Sequence, residues 1–221
     1  MQAQDFDFEL ARFHAIEQQI RPWHVSDLDV LSLLSDTPRE LFVLPQHKFL
    51  AFTDTELEIT PYPNRYLLAP KIEARIIQEI KPFLGGKTLI IGSDLGYLAA
   101  ILSKLGQQVT ILDENADLLD LAKDNLAKFN FNIHVMIQSF FDKIPQTFKT
   151  IICTASVDEV QQVWLNALDP SNGALICFIG DLPVLEAKLF NKQNSYIKQT
   201  NLFETWVNRF PHAPKKKSFS F

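Results

Sequence analysis

The 221-residue chain has few of the features that mark disulfide-rich or membrane proteins. Its two cysteines, Cys153 and Cys177, sit in separate apolar runs with no CxxC spacing, so we expect buried, reduced thiols and no disulfide framework. No window approaches about 18 consecutive apolar residues, and we therefore expect no membrane-spanning helix. The opening MQAQDFDFEL is acidic and lacks the apolar core of a signal peptide, which favours a cytoplasmic protein.

Positive charge and metal-ligand spacings are also scarce. Lysine and arginine total 21 against 26 acidic residues, for a net charge of -5 and a pI near 5.5. A nucleic-acid-binding surface normally shows a basic patch, and the only basic run, at 215–217, lies in the C-terminal tail beside prolines. The five histidines are scattered without a cysteine or acid at ligand spacing. The sequence predicts neither a nucleic-acid partner nor a metal site.

The N-terminal third combines helical segments with an irregular stretch. Hydrophobic residues make up 47% of the chain. Over 5–20 they recur at the spacing of a helix. Ser26 has the character of an N-cap for a second helix, and the sequence TPRE at 37–40 predicts another helix start. Proline interrupts any helical period between 44 and 67, which indicates an irregular arm with short strands. Pro70 then begins a helix.

After residue 86 the pattern changes to alternating strands and helices. Strands are predicted at 88–92, 108–112, 132–137, 148–154 and 174–180, and helices at 96–105, 115–129 and 157–168. Nearly uninterrupted apolar strands are typical of a parallel sheet covered on both faces. The period of 184–190 fits helix or strand, but the β-branched and aromatic segment after it favours an antiparallel hairpin with a turn near 193–195.

These elements predict an α/β fold with a mostly parallel, seven-stranded sheet that ends in an antiparallel hairpin. A chain of this size and apolar content can bury one large core. We expect residues 85–221 to form one compact unit, preceded by a helical and irregular extension over 1–84.

One stretch, from 87 to 129, carries the pattern of a nucleotide-binding βαβ unit. Gly92 and Gly96 bracket the turn after its first strand, and Asp113 follows about 20 residues later. A carboxylate in that position can accept hydrogen bonds from both ribose hydroxyls of a cofactor. A helix dipole alone also favours an acid there, and glycines are common at strand–helix turns, so the structural alternative stays open. The compact GxGxxG turn of dehydrogenases is absent.

Several segments match, in order, the pattern of one enzyme family. They are EQQIRPWHVSDLDVLSLLSDTPRELFV (17–43), AFTDTELEI (51–59), APKIEA (69–74), IIGSDLGYLAAILSKLG (90–106), IICTASVDEV (151–160), LDPSNGALICFIG (168–180) and LFETWVNRFPHAPKKKSFSF (202–221). Together they resemble the protein-L-isoaspartate O-methyltransferases, the last segment being similar to a bacterial branch of that family. The resemblance covers nearly the whole chain.

The resemblance implies a Rossmann-like class I methyltransferase fold and a protein-repair reaction. In that reaction S-adenosylmethionine methylates the free α-carboxyl group of an isoaspartyl residue in a damaged protein or peptide. A carboxylate is already a nucleophile at neutral pH, so the enzyme contributes proximity and orientation rather than a general base. The resemblance places cofactor contacts at Gly92, Asp94, Gly96, Asp113 and Gln138, and substrate contacts at Ala69, Pro70 and Thr154.

Four residues depart from the family pattern at functional positions. Ile90 stands where the family has an acid, and Asp94 replaces the middle loop glycine, where we expect it to crowd the cofactor. Gln138 replaces the aspartate that holds the adenine amino group, although its amide oxygen can still accept a hydrogen bond. Leu68 replaces a hydroxyl residue of the substrate motif. The sequence assigns no catalytic residue.

Two hypotheses about function follow from these departures. The chain is either an active S-adenosylmethionine-dependent methyltransferase or a family member that has lost catalysis and acts as a binding or scaffold protein. Asp94 likewise has two interpretations: it holds the cofactor's ammonium group in place of the missing acid, or it is a solvent-facing turn residue.

Overall fold

A seven-stranded sheet forms the centre of the computed structural model, which describes residues 6–59, 61–131, 133–181, 184–194 and 196–215. The strands are β1 Leu57–Glu58, β2 Tyr66–Leu67, β3 Lys87–Ile91, β4 Gln108–Asp113, β5 His134–Ile137, β6 Thr150–Val157, β7 Gly173–Asp181, β8 Val184–Gln193 and β9 Tyr196–Thr205. The large sheet has the order β5-β4-β3-β6-β7-β8-β9, and β1 pairs with β2 separately. Strands β3 to β7 pair in parallel, whereas β8 and β9 are antiparallel. The predicted sheet and terminal hairpin are confirmed.

The central strands are buried because both faces of the sheet are covered. Successive side chains of a strand point to opposite faces, so Ile90 packs with the N-terminal helices on one side. Leu89 and Ile91 pack on the other side, around the fully buried Trp164. This explains the nearly continuous apolar runs of β3 and β6, which a one-sided sheet would not require.

The described residues form six α-helices around the sheet. They are α1 Phe8–Ala15, α2 Leu28–Ser35, α3 Pro70–Ile80, α4 Tyr97–Lys104, α5 Ala116–Ala127 and α6 Gln162–Asn166. A π-helical turn, Ile16–Ile20, and a 3-10 turn, Arg21–Trp23, extend α1. Within the described ranges, no helix has both the length and the apolar character needed to cross a membrane.

The helix that begins at Pro70 and the irregular arm with short strands at 44–67 are confirmed. The helix predicted over 5–20 is confirmed from Phe8 onward, as α1 and its π-helical extension. Some predicted positions fall outside the described residues: Asp5 of that first helix, Asn132 of the strand at 132–137 and Ser195 of the hairpin turn.

Two predicted helix starts are wrong in detail. The N-cap of α2 is Asp27 rather than Ser26, because the Asp27 carboxylate accepts hydrogen bonds from the amides of Asp29 and Val30. The start predicted at 37–40 gives only the 3-10 turn Arg39–Leu41. There the Thr37 hydroxyl donates to the carbonyl of Leu33 in the preceding helix instead of capping a new one.

The helix predicted over 157–168 is also too long. Strand β6 continues to Val157, three residues past the predicted end at residue 154, and its register against β7 shifts between Ile152 and Ser156. An isolated bridge joins Ser156 to Arg209, so the C-terminal segment pairs with β6 beyond the end of its pairing with β3. Only Gln162–Asn166 remains for α6.

A buried ion pair ties the N-terminal segments to the rest of the fold. Arg39 Nε donates to Glu73 Oε2 at 2.7 Å, and both side chains are almost completely buried. The guanidinium also donates to the carbonyl oxygens of Ala51, at 2.6 Å, and Leu68, at 2.7 Å. Burial alone would lower the pKa of Arg39, but the charge of Glu73 and its hydrogen bonds raise that pKa overall. One side chain thus joins the 3-10 turn, the irregular arm and helix α3.

Removal of this arginine should destabilise the chain strongly. We expect Arg39→Met to lower the free energy of unfolding by about 3–5 kcal/mol, because the Glu73 carboxylate would remain buried without its partner. Urea unfolding followed by circular dichroism measures the loss.

Two control variants separate this ion pair from a general effect of charge removal. The double variant Arg39→Met/Glu73→Leu should recover part of the loss, because no unpaired charge stays in the core. Arg21→Met, at an exposed pair with Glu17, should change stability by less than about 1 kcal/mol. Equal losses in Arg39→Met and Arg21→Met would contradict the role assigned to Arg39.

Candidate functional site

The candidate site lies at the carboxyl ends of the central parallel strands. The sheet order reverses between β3 and β6, and ligands of open α/β sheets bind at such a switch point. A small cavity of about 20 Å³ lies there, which is room for roughly one water molecule. Its lining includes Glu56, Arg65, Gly92, Ser93, Thr154, Asn208 and Phe210.

Asp113, the last residue of β4, is fully buried beside this cavity. Its Oδ2 accepts a hydrogen bond from the amide of Ser93 at 2.6 Å, and its Oδ1 accepts one from the amide of Asn115 at 2.9 Å. The guanidinium of Arg65 forms an ion pair with Oδ2. Burial raises the pKa of Asp113, although the charge of Arg65 and these amides act in the opposite direction. The carboxylate is therefore oriented by the loop after β3 and paired with the irregular arm.

Both loop glycines occupy positions that exclude a side chain. Gly92 has φ +91°, and a Cβ there would lie 2.3 Å from Thr154 Oγ1 and 3.1 Å from the ring of Phe210. Gly96 has φ +97°, and its Cβ would lie 3.1 Å from the side chain of Leu126. The first glycine thus lets β6 and the C-terminal segment approach the loop, and the second lets α5 pack against it.

Asp94 caps helix α4 and is fully buried. Its Oδ1 accepts a hydrogen bond from the amide of Gly96 at 3.0 Å, and its Oδ2 accepts one from the amide of Leu98 at 2.6 Å. The alternative of a solvent-facing turn residue is therefore wrong. The carboxylate points at the helix N-terminus, where the amides and the dipole favour a negative charge, and Asp94 does not line the cavity.

Gln138 follows directly after β5, and its amide nitrogen is a buried donor with no partner among the described residues. A buried amide without a hydrogen bond is unusual and has capacity for a ligand. Nearby, the ring of Phe140 packs on Phe210 with centroids 4.7 Å apart, and the guanidinium of Arg65 lies 5.1 Å from the Phe140 centroid. An aromatic wall therefore bounds this side of the site. Ile90 is buried in the core of the other face.

The segment that resembles the substrate motif has no free hydrogen-bonding side chain at its first position. Leu68 is fully buried in the core, and its carbonyl accepts a hydrogen bond from Arg39. Ala69 is the N-cap residue of α3, and Pro70 is the first residue of that helix. The Thr154 hydroxyl lines the cavity but donates to the carbonyl of Ile91 at 3.2 Å. Of the predicted site residues, Gly92 and Thr154 line the cavity, and Leu68, Ala69 and Pro70 do not.

Sequence reasoning missed several residues that line the cavity, among them Arg65, Glu56, Asn208 and Phe210. Glu56 Oε2 accepts a hydrogen bond from Asn208 Nδ2 at 2.6 Å, across 152 positions of sequence. Burial raises the pKa of Glu56 to about 7, although the hydrogen bonds from Asn208 lower it. No local pattern marks such residues, because their function depends on contacts between distant segments.

The described residues contain no group of three or more His, Cys, Asp or Glu side chains placed to hold a metal ion. Cys153 and Cys177 are free and buried, as expected, and burial raises the pKa of both thiols. A thiol with a raised pKa is a poor nucleophile, so Cys153 serves as a core residue.

Loss of the Asp94 carboxylate should weaken the start of α4. We expect Asp94→Ala to lower the free energy of unfolding by about 1–2 kcal/mol, the usual effect of removing a helix cap, and Asp94→Asn to lose less because its amide oxygen still accepts a hydrogen bond. Asp124→Ala, at an exposed position of α5, serves as the control in urea unfolding. A loss in Asp94→Ala no larger than in the control would contradict the capping role, and an unchanged cofactor affinity of Asp94→Asn would remove the ammonium-binding role.

Glu56 should make stability depend on pH. Because its pKa is raised from 4.5 to about 7 in the folded chain, the folded state keeps a proton that the unfolded state releases between those values. Stability therefore falls as pH rises through this range. Glu56→Gln should reduce the loss between pH 4.5 and 8 by about 1–3 kcal/mol, as measured by urea unfolding.

Glu58→Gln, on the exposed side of β1, is the matched control and should keep the pH dependence of the wild type. The same pH dependence in Glu56→Gln and the wild type would show that Glu56 is ionised in the folded chain at pH 4.5 and above.

Comparisons with known proteins agree on one family. The model of the protein-L-isoaspartate(D-aspartate) O-methyltransferase family matches residues 12–208. A relative named protein-L-isoaspartate O-methyltransferase from Rhodopseudomonas palustris (strain BisB5) is 35% identical over 160 residues, which cover 71% of this chain and 72% of that protein. One of the same name from Bradyrhizobium sp. (strain BTAi1) is 34% identical over 159 residues, which cover 71% and 73%.

Solved structures of such proteins share the fold. A protein-L-isoaspartate O-methyltransferase structure has a TM-score of 0.74 at 22% identity, over 90% of this chain and 66% of that one, so this chain spans about two thirds of its length. A putative enzyme of this name from Plasmodium falciparum, in complex with S-adenosyl-L-homocysteine, has a TM-score of 0.75 at 17% identity over 93% and 98%. The fold is the Rossmann-like class I methyltransferase fold, and the chain belongs to the protein-L-isoaspartate(D-aspartate) O-methyltransferase family.

Proposed function

We propose that this chain transfers the methyl group of S-adenosylmethionine to the α-carboxylate of an isoaspartyl residue in a damaged protein, as a cytoplasmic repair enzyme. The observation that carries the proposal is the buried carboxylate of Asp113 at the switch point of the sheet, oriented by the amide of Ser93 in the glycine-bracketed loop. A carboxylate in that position suits the ribose of an adenosyl cofactor.

The residues present fit this cofactor in three ways. Asp113 supplies an acceptor for ribose hydroxyls, and the orphaned amide nitrogen of Gln138 supplies a donor for a ring nitrogen of adenine. Asp94 does not crowd the loop as its sequence position suggested, because its two oxygens accept hydrogen bonds from the amide of Gly96, just before α4, and from that of Leu98, in the first turn of α4. The side chain of Arg65 stands against the fit, since it already pairs with Asp113.

When bound, S-adenosylmethionine supplies an electrophilic methyl group on a sulfonium centre. The chain itself has to hold the cofactor and exclude water. Asp113 and Gln138 hold the adenosyl portion, and the aromatic wall of Phe140 and Phe210 keeps this side of the crevice dry. A carboxylate acceptor needs no general base, so orientation is the remaining requirement.

Loss of catalysis with retention of a binding or scaffold role is the second candidate function. Leu68 favours it, because a buried leucine offers no hydrogen bond to an isoaspartyl carboxylate. The pairing of Arg65 with Asp113 favours it as well, since the ribose acceptor is already used within the chain. A binding protein of this kind would keep the fold without needing the cofactor.

Thermal unfolding with and without S-adenosylhomocysteine tests the proposal. The methyltransferase function predicts an increase in stability of about 2.7 kcal/mol when the ligand is present at 100 times its dissociation constant. Asp113→Asn should bind more weakly, because it loses a charged acceptor for the ribose hydroxyls. Asp124→Asn, at an exposed position of α5, should bind like the wild type.

The absence of a stability change with either S-adenosylmethionine or S-adenosylhomocysteine at millimolar concentration would overturn the methyltransferase proposal and favour the scaffold function. If the ligand stabilised Asp113→Asn as much as the wild type, the cofactor would have to bind away from Asp113.

A further inference from the structure

The side chain of Arg65 occupies the position in which a ribose would meet Asp113. Asp113 Oδ1 accepts a hydrogen bond from the amide of Asn115, and Oδ2 accepts one from Ser93 and pairs with Arg65. The two amides belong to the loops that build the site, whereas Arg65 comes from the irregular arm, immediately before β2. Among the described residues, Arg65 is therefore the partner of this carboxylate that does not belong to those loops, and it occupies an acceptor position that a ribose hydroxyl would use.

Arg65 also makes the second contact expected of a nucleoside. Its planar guanidinium lies 5.1 Å from the centroid of Phe140, within the range of a cation–π contact. Its side chain is only 11% exposed. The guanidinium is a flat group that lies on an aromatic ring and donates to a carboxylate. An adenosyl group bound in this position would make the same two kinds of contact.

The small volume of the crevice supports the same conclusion. The cavity beside Arg65 measures about 20 Å³, which holds about one water molecule and no nucleoside. Arg65 lines it together with Gly92 and Ser93 of the cofactor loop. Binding of an adenosyl cofactor at Asp113 thus requires the arginine to leave.

The charges around the cavity indicate where the released guanidinium goes. Among the described residues that line it, Arg65 is the sole cation and Glu56 is the sole carboxylic acid. A carboxylate acceptor entering this space meets Glu56 and needs a positive partner, because burying an unpaired charge is costly. Leu68 cannot supply even a hydrogen bond. Arginine matches a carboxylate well because its guanidinium can donate two parallel hydrogen bonds.

We propose that Arg65 exchanges partners during the reaction: it is held by Asp113 in the free chain, is displaced by the ribose of the cofactor, and then binds the carboxylate of the acceptor. This inference rests on the proposed function. Arg65 becomes the specificity-determining residue that replaces the hydroxyl missing at Leu68. The exchange imposes an order, with the cofactor binding before the acceptor.

Calorimetric titration with S-adenosylhomocysteine tests the first step of the exchange. Arg65→Gln should bind this ligand about tenfold more tightly than the wild type, a difference of about 1.4 kcal/mol, because no internal cation has to be displaced. Arg75→Gln is the matched control, since Arg75 is similarly buried but pairs with Glu79 on α3, away from the crevice. Equal or weaker binding by Arg65→Gln would overturn the displacement.

Steady-state kinetics with an isoaspartyl peptide test the second step. Arg65→Gln should raise the KM for the peptide by about tenfold, with a smaller change in kcat, because a uniform binding contact is lost. Arg65→Lys should restore part of the affinity, since it keeps the charge but not the paired donors. An unchanged KM in Arg65→Gln would overturn the role of Arg65 in acceptor binding.

A crystal structure of the wild-type chain with S-adenosylhomocysteine tests the exchange even if the variants fail to fold. Ribose hydroxyls on Asp113, with the Arg65 guanidinium moved away, would support it. A bound ligand with Arg65 still on Asp113 would overturn it and leave the proposed function intact. Failure of the wild type and of both Arg65 variants to bind the ligand would overturn both.

Discussion

The buried Arg39–Glu73 pair is the interaction on which the arrangement of the site depends. The Arg39 guanidinium donates to the carbonyl oxygens of Ala51, within the irregular arm, and Leu68, just after it, so the arm is fixed at two points to the start of α3. Arg65 lies within this arm. The Arg39–Glu73 pair therefore fixes the position of the arm, and the position of the arm lets the Arg65 side chain reach Asp113. Arginine suits this task because its fork of donors can satisfy a carboxylate and two carbonyl groups at once.

The site itself is organised by carboxylates that the chain satisfies internally. Asp94 accepts hydrogen bonds from the amides of Gly96 and Leu98 at the start of α4, and Asp113 accepts them from the loops after β3 and β4. Among the hydrogen bonds and ion pairs that the described residues make with these two carboxylates, the contact of Asp113 with Arg65 is the one from outside these loops. Displacement of the Arg65–Asp113 ion pair is thus the change that would let the closed crevice admit a cofactor.

The fold could be predicted from the sequence because its signals are local. Apolar runs predicted the parallel strands, and proline marked the start of α3. Local signals failed where a side chain had two possible partners: Thr37 donates back to the preceding helix, and β6 continues because it pairs with the C-terminal segment at Ser156.

The candidate site could be predicted only in part. Glycine spacing and the acid at the end of β4 predicted Gly92, Gly96 and Asp113 as site residues, and of these Gly92 lines the cavity. Arg65 could not be predicted as a site residue, because its partner is 48 residues away and no local sequence pattern surrounds it. The direction of the Asp94 side chain could not be predicted either, since a turn sequence does not indicate whether a carboxylate faces solvent or a helix end.

The most direct test of the account is methyl transfer itself. Labelled S-adenosylmethionine should methylate an isoaspartyl peptide, and not the same peptide with a normal aspartyl linkage, to give a base-labile ester. Failure of the folded chain to label the isoaspartyl peptide under conditions in which it binds the cofactor would contradict the account.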